Sequence, residues 1–138
     1  GLILVVLYKA EGSYQFAGLG IPVIQNAMEY ASSFTDPVLK LILSAITIGS
    51  GFKGGEFIPL VFIGTTIGSA LSQMIPVSIG LLSTLGFAAV FGAAANTPIA
   101  CTIMALELFG PQIGPYALIA CLVSYSVSGR KGIYRSQI

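Results

Sequence analysis

Long apolar runs dominate this chain, and glycine and proline punctuate them more often than charge does. Residues 21–33, IPVIQNAMEYASS, carry proline at the second position, which suits the first turn of a short helix. Asp36-Pro37 opens a second helix, PVLKLILSAITIG, reaching about Gly49, with Asp36 as its expected N-cap. A third is predicted from Pro59 to about Met74 and a fourth from Pro76 to about Gly92. Asn96-Thr97-Pro98 then breaks the chain, and Thr102 to Phe109 resumes helically. Gly110-Pro111 stops that segment, and Pro115 to Ser128 forms the last apolar one. Upstream, GLILVVLY (1–8) reads as the tail of another helix, and KAEGSYQFAGLG (9–20) as a polar connecting loop. In the third helix, Gly64, Gly68 and Ser72 share one face at a spacing that lets helix backbones approach closely in lipid, a packing feature.

The pattern excludes an ordinary soluble domain. No Asp, Glu, Lys or Arg occurs from Phe57 to Leu106, nor from Leu108 to Gly129. About 20 apolar helical residues cross a bilayer core, so stretches of this length place the chain in a membrane. Composition agrees: 55% of residues are hydrophobic and 8% charged, where a soluble domain carries about 25% charged. Yet breaks recur near residues 50–56, 76–80, 92–98 and 110–115. Irregular backbone at membrane depth survives only where protein buries it or where it lines an aqueous cavity. A bundle of plain spans has no use for four such breaks, whereas a transporter built from discontinuous helices does. The expected fold is an all-α integral membrane bundle.

The chemistry left over is sparse. A net charge of +1 offers no nucleic-acid footprint. Histidine is absent, removing the commonest metal ligand and general base. Without paired carboxylates or GxSxG, an intramembrane enzyme finds little support, and no cofactor or metal is expected. Cys101 and Cys121 sit in apolar surroundings and read as buried thiols rather than a disulfide or metal pair. Residues 1–8 lack a basic leader and a small-residue cleavage site, so they do not read as a signal peptide. A helix tail at the start leads to the expectation of a fragment.

Residues 49–59, GSGFKGGEFIP, are where the residues come closest to a function. A helix beginning near Pro59 leaves its first N–H groups without intrahelical partners, and Pro59 itself has none to orphan. The amides of Glu56, Phe57 and Ile58 can then point outward, while Gly54 and Gly55 keep side chains away. Aligned peptide dipoles add roughly half a positive charge at that end. These features describe an anion site made of backbone. A glycine hinge whose amides are capped by protein carbonyls or water fits the same spacing equally well. A phosphate loop does not, because the GxxxxGK[ST] order is missing.

GSGFKGGEFIPLVFIGTTIGSAL resembles the GGxFxP motif and following helix of the CLC family of chloride channels and proton-coupled anion antiporters. The similarity continues in order through GFAAVFGAAANTPIACTIMALELFG and into GRKGIYRSQI. It implies the second half of an inverted-repeat fold of tilted, discontinuous helices, with the first half of the domain absent from this chain. It also implies a central halide held by the amides of Glu56 and Phe57 and by the hydroxyl of Tyr134. Taken alone, Tyr134 reads as an interfacial anchor beside Arg130, Lys131 and Arg135, whose charge argues for a cytoplasmic end. The resemblance further implies a homodimer with one pore per subunit, joined through residues 98–109 and 115–128. Neutral donors suit conduction, since they replace part of a water shell without trapping the ion.

Glu56 departs from the chloride-type pattern. A carboxylate beside an anion must turn away, pair with Lys53 or take up a proton. A glutamate after GFKGG resembles the fluoride-exporting branch, where it is implicated in gating or proton coupling. That branch places a threonine two residues on, where this chain has Ile58, and Phe57 resembles the chloride type. Both ions fit, and Glu56 serves either as gate or as structural partner of Lys53. Glu107 reads as an interfacial or helix-packing acid. A different transporter class remains in competition: sodium-coupled uptake of small solutes, with a carboxylate substrate at the same helix ends. A purely structural membrane subunit would not need the breaks.

Overall fold

The computed structural model describes residues 5–6, 9–10, 21–51, 55, 57–129 and 132–133. Six α-helices follow one another from residue 21: α1 (Ile21–Glu29), α2 (Thr35–Gly49), α3 (Phe57–Leu71), α4 (Ile79–Ala95), α5 (Pro98–Phe109) and α6 (Gly114–Ser128). A 3₁₀ turn, Pro111–Ile113, leads into α6. The all-α expectation holds. No helix among the described residues is long and apolar enough to cross a membrane. The longest, α4, has 17 residues, or about 26 Å at 1.5 Å per residue. The chain is built from short helices and breaks, as the spacing of its prolines and glycines anticipates.

Several boundaries differ from expectation. The first helix stops at Glu29, and residues 31–33 are extended or irregular. Thr35 begins α2, so Asp36 lies in the first turn rather than at the cap, and the cap position, Phe34, makes no side-chain cap bond. There its carboxylate still faces the positive end of the helix dipole. Phe57 begins α3, two residues before Pro59. Proline is tolerated throughout a first turn because the amide it lacks would have no partner there. Pro76 lies before α4, which starts at Ile79 and runs on to Ala95. Asn96 ends it in the left-handed region at φ 57°, which asparagine accepts more readily than most residues. Pro98 then starts α5 one turn earlier than expected, at a position proline favours. Lys9 and Ala10, expected in a loop, are helical.

The core is the α3–α4 contact. Gly64 and Gly86 face each other so closely that a Cβ on Gly64 would lie 2.6 Å from the Gly86 carbonyl oxygen. A Cβ on Gly68 would strike the Leu82 carbonyl, and one on Gly86 the Gly64 carbonyl. Only glycine permits this approach. The helices run antiparallel, with Phe57 beside Phe91 and Gly68 beside Leu82. On the other side of α4, α6 runs in the same direction. Cys121 Sγ donates to the Ala88 carbonyl at 3.3 Å, and Ser128 Oγ reaches the Ala93 carbonyl at 3.5 Å. Phe87, Ala88, Ala95, Cys101, Ala105, Ala117 and Cys121 form the buried cluster where α4, α5 and α6 meet. Both thiols are free and buried, as expected, and face other helices.

Buried hydroxyls are absorbed locally. Thr66 donates to the Phe62 carbonyl at 2.7 Å, Thr84 to Gly80 at 2.8 Å and Thr102 to Pro98 at 2.7 Å, each one turn back. Two serines reach across instead. Ser83 Oγ donates to the Ala27 carbonyl at 2.8 Å, docking α1 on α4. Ser69 Oγ donates to the Tyr30 carbonyl and accepts from the Ser32 N–H, both at 2.9 Å. The α1–α2 connection is thereby fastened to α3.

Candidate functional site: the first turn of α3

Gly51, at φ +84°, carries the chain out of α2, a backbone state that suits glycine. Among the described residues, a Cβ on Gly55 would meet nothing within 4 Å. Lys53, Gly54, Glu56, Arg130, Lys131, Tyr134 and Arg135 lie outside the described residues.

Phe57 and Ile58 supply the first amides of α3, whose N-terminal N–H groups lack intrahelical acceptors. Phe57 is 38% exposed, so the helix starts at an accessible edge of the bundle. Its ring is held by α4. The Phe57 and Phe91 centroids are 5.0 Å apart at 83°, and Phe57 meets Phe87 at 6.5 Å and the same angle. Phe87 and Phe91 are nearly parallel, 3° apart in plane. Phe57 thus stands edge-on to a pair of aligned rings, a favoured aromatic geometry. Pro59 sits within the same first turn and is partly buried.

A segment near the other end of the chain reaches the C-terminal end of α4. The Ile133 N–H donates to the Ala94 carbonyl at 2.9 Å. The Ala94 carbonyl is one of the terminal carbonyls of α4 that have no partner within the helix, so Ile133 caps the end of α4, about one turn beyond the Phe91 ring that meets Phe57. This juxtaposition joins segments far apart in sequence.

Farther along α3, Lys40 of α2 is 4% exposed, with its Nζ 5.1 Å from the Phe62 ring centroid. Reading the sequence did not single out Lys40, although it is the only charge inside PVLKLILSAITIG. It also missed Phe87 and Phe91, whose i, i+4 spacing was the available signal. Glu107 is exposed near the end of α5.

Short helices interrupted by breaks recur in membrane transport domains. The family model described as "Voltage gated chloride channel" matches residues 1–129. The chain belongs to this family, the CLC family of integral membrane proteins. A "Chloride/fluoride channel protein" of Pseudomonas syringae pv. tomato is 45% identical over 143 residues, covering 99% of this chain and 32% of that protein. "Voltage-gated ClC-type chloride channel ClcB" of Escherichia coli O81 is 32% identical over 132 residues, covering 80% of this chain and 32% of that protein. The protein of the same name from Salmonella typhimurium is 35% identical over 99 residues, 66% of this chain and 24% of its own length. The chain thus spans about a third or less of the curated relatives it matches. No solved structure matches.

Proposed function

We propose that this chain is the C-terminal half of the membrane domain of an anion-transport protein of the voltage-gated chloride channel type, with a transport rather than a catalytic role. The halide binds to the amides of Glu56 and Phe57 at the start of α3 and to the hydroxyl of Tyr134. Gly54, Gly55 and Pro59 keep that approach clear. The observation carrying this reading is the C-terminal end of α4, where Phe91 meets Phe57 and the Ala94 carbonyl takes the Ile133 N–H. The absent first half of the domain closes the pathway. α5 and α6 join two copies into a homodimer, the chain crosses the bilayer several times, and its basic C-terminal segment faces the cytoplasm.

A second reading has its own support. Fluoride export coupled to protons fits Glu56, a carboxylate that becomes compatible with a neighbouring anion once it takes up a proton. The Pseudomonas relative's name includes fluoride as well as chloride. Efflux of chloride and of fluoride from liposomes holding the intact protein, with internal pH followed together, tests both. Chloride efflux without proton movement is the outcome for a channel. Fluoride efflux with opposing proton uptake assigns the antiporter. Uptake of a small solute such as an amino acid, with neither halide moving, overturns both.

A further inference from the structure

We propose that Cys101 and Cys121 form a two-coordinate site for a soft divalent metal ion of the mercuric type, bridged across Gly92. The linear sequence hides this pairing, because the two cysteines lie on different helices, α5 and α6. The fold brings both to one point on α4. The three atoms nearest to a Cβ placed on Gly92 are Cys121 Sγ at 3.3 Å, Cys121 Cβ at 3.5 Å and Cys101 Cβ at 3.6 Å. Residue 92 adds no side chain of its own at that point. Both thiols are free, and neither is more than 2% exposed. The Cys121 thiol donates to the Ala88 carbonyl at 3.3 Å, and Cys101 Sγ lies 3.6 Å from Thr97 Oγ1. A turn about χ1, from one staggered position to another, carries the Cys101 sulfur from Thr97 to the Gly92 side.

The ligand set decides the ion. Thiolate sulfur is a soft donor and favours soft ions. Structural zinc takes four ligands, and no group of three or more His, Cys, Asp or Glu gathers among the described residues. An ion satisfied by two sulfurs in line is what remains. Binding exchanges two S–H bonds for two S–metal bonds: the divalent ion enters, both protons leave, and the bridge is uncharged. Neutrality matters because a net charge buried away from water is costly. Entry is through the chain break after α4. Cys101 stands one turn into α5, which starts at Pro98 just past the left-handed Asn96, and local opening is easier at such ends than within a packed core. Once formed, the bridge ties α5 to α6 against α4.

The test uses the intact protein in detergent, given mercuric chloride, washed with a competing monothiol and then treated with N-ethylmaleimide to block the remaining thiols. Retained mercury is counted by elemental mass spectrometry. Pepsin then cuts between the two cysteines, where Leu106, Leu108 and Phe109 stand, and the peptides are weighed. The wild type is expected to retain one mercury per chain more than the double variant Cys101→Ala/Cys121→Ala, which sets the background from any other cysteine. Peptides carrying residues 101 and 121 should stay joined through that mercury, with two protons lost. Two thiols held together act at about millimolar effective concentration, so either single alanine variant should lower retention at least about tenfold. Cys101→Ser and Cys121→Ser, closer in shape, carry the same expectation should the alanine variants fail to fold. Zinc should not be retained above background. No extra mercury in the wild type, undiminished retention in a single variant, or a bridge from residue 101 or 121 to any other peptide overturns the inference. Zinc held as well as mercury overturns it too, because the site then has more than two ligands.

Discussion

The two ends of α3 are held in different ways. Its later turns are locked backbone to backbone, with Gly64 and Gly68 pressed on Gly86 and Leu82 and with Ser69 stapled to Tyr30 and Ser32. Its first turn leans on α4 through aromatic rings, and Phe57 remains 38% exposed. Contact between backbones admits no adjustment, since any added atom collides with a carbonyl. Contact between rings can be retuned by changing one side chain. The rigid end therefore fixes where the helix lies, whereas the ring-held end tolerates change without threatening the fold.

Breaking the rigid end gives the largest effect. Gly86→Val puts branched carbons onto the Gly64 carbonyl, and overpacking of this kind costs about 3 kcal/mol or more. The intact protein should lose its monodisperse peak in size-exclusion chromatography. A normal peak would show that α3 and α4 can separate without cost.

Changing the other end should spare the fold and damage binding. Replacing the Phe57 amide N–H with an ester oxygen removes one proposed donor to the ion while keeping every ring contact. A hydrogen bond to a charged group contributes about 1.5–3 kcal/mol, so halide affinity should fall about ten- to hundredfold, measured by calorimetry. Unchanged affinity would place the ion elsewhere.

A smaller effect is expected at the serine staple. Ser69→Ala removes the bonds to the Tyr30 carbonyl and the Ser32 N–H. Polar contacts between membrane helices contribute about 0.6–1.7 kcal/mol, and the thermal midpoint should fall accordingly while halide affinity stays the same. Loss of affinity in this variant would mean that the two ends of α3 are coupled.

The smallest effect belongs to Glu107→Gln. Its side chain is exposed near the end of α5, where such changes stay within about 0.5 kcal/mol. Halide efflux should match the wild type. A clear change in flux would give this acid a transport role and move attention away from α3.

Much of this was legible along the chain. Prolines and glycines announced the breaks, and the GSGFKGGEFIP stretch pointed to a helix start at about Pro59, two residues after the observed one at Phe57. Helix limits were less legible. Pro59 and Pro76 drew the expected starts toward themselves, yet α3 begins before the first and α4 after the second. Proline permits a first turn without choosing its first residue. The same limit applied to Asp36, which suits both a cap and a first-turn position.

The absence of charge from Phe57 to Leu106 and the repeated breaks are properties of the linear chain, and they alone specify membrane residence and short helices. Periodicity is local, so it reports which face of a helix is small or apolar. It cannot report which distant segment that face will meet. That Phe91 and Ala94 receive residues 57 and 133 was decided only when α4 was placed between α3 and α6. The placement follows from glycine carbonyls on one side and buried thiols on the other, contacts that exist only between helices.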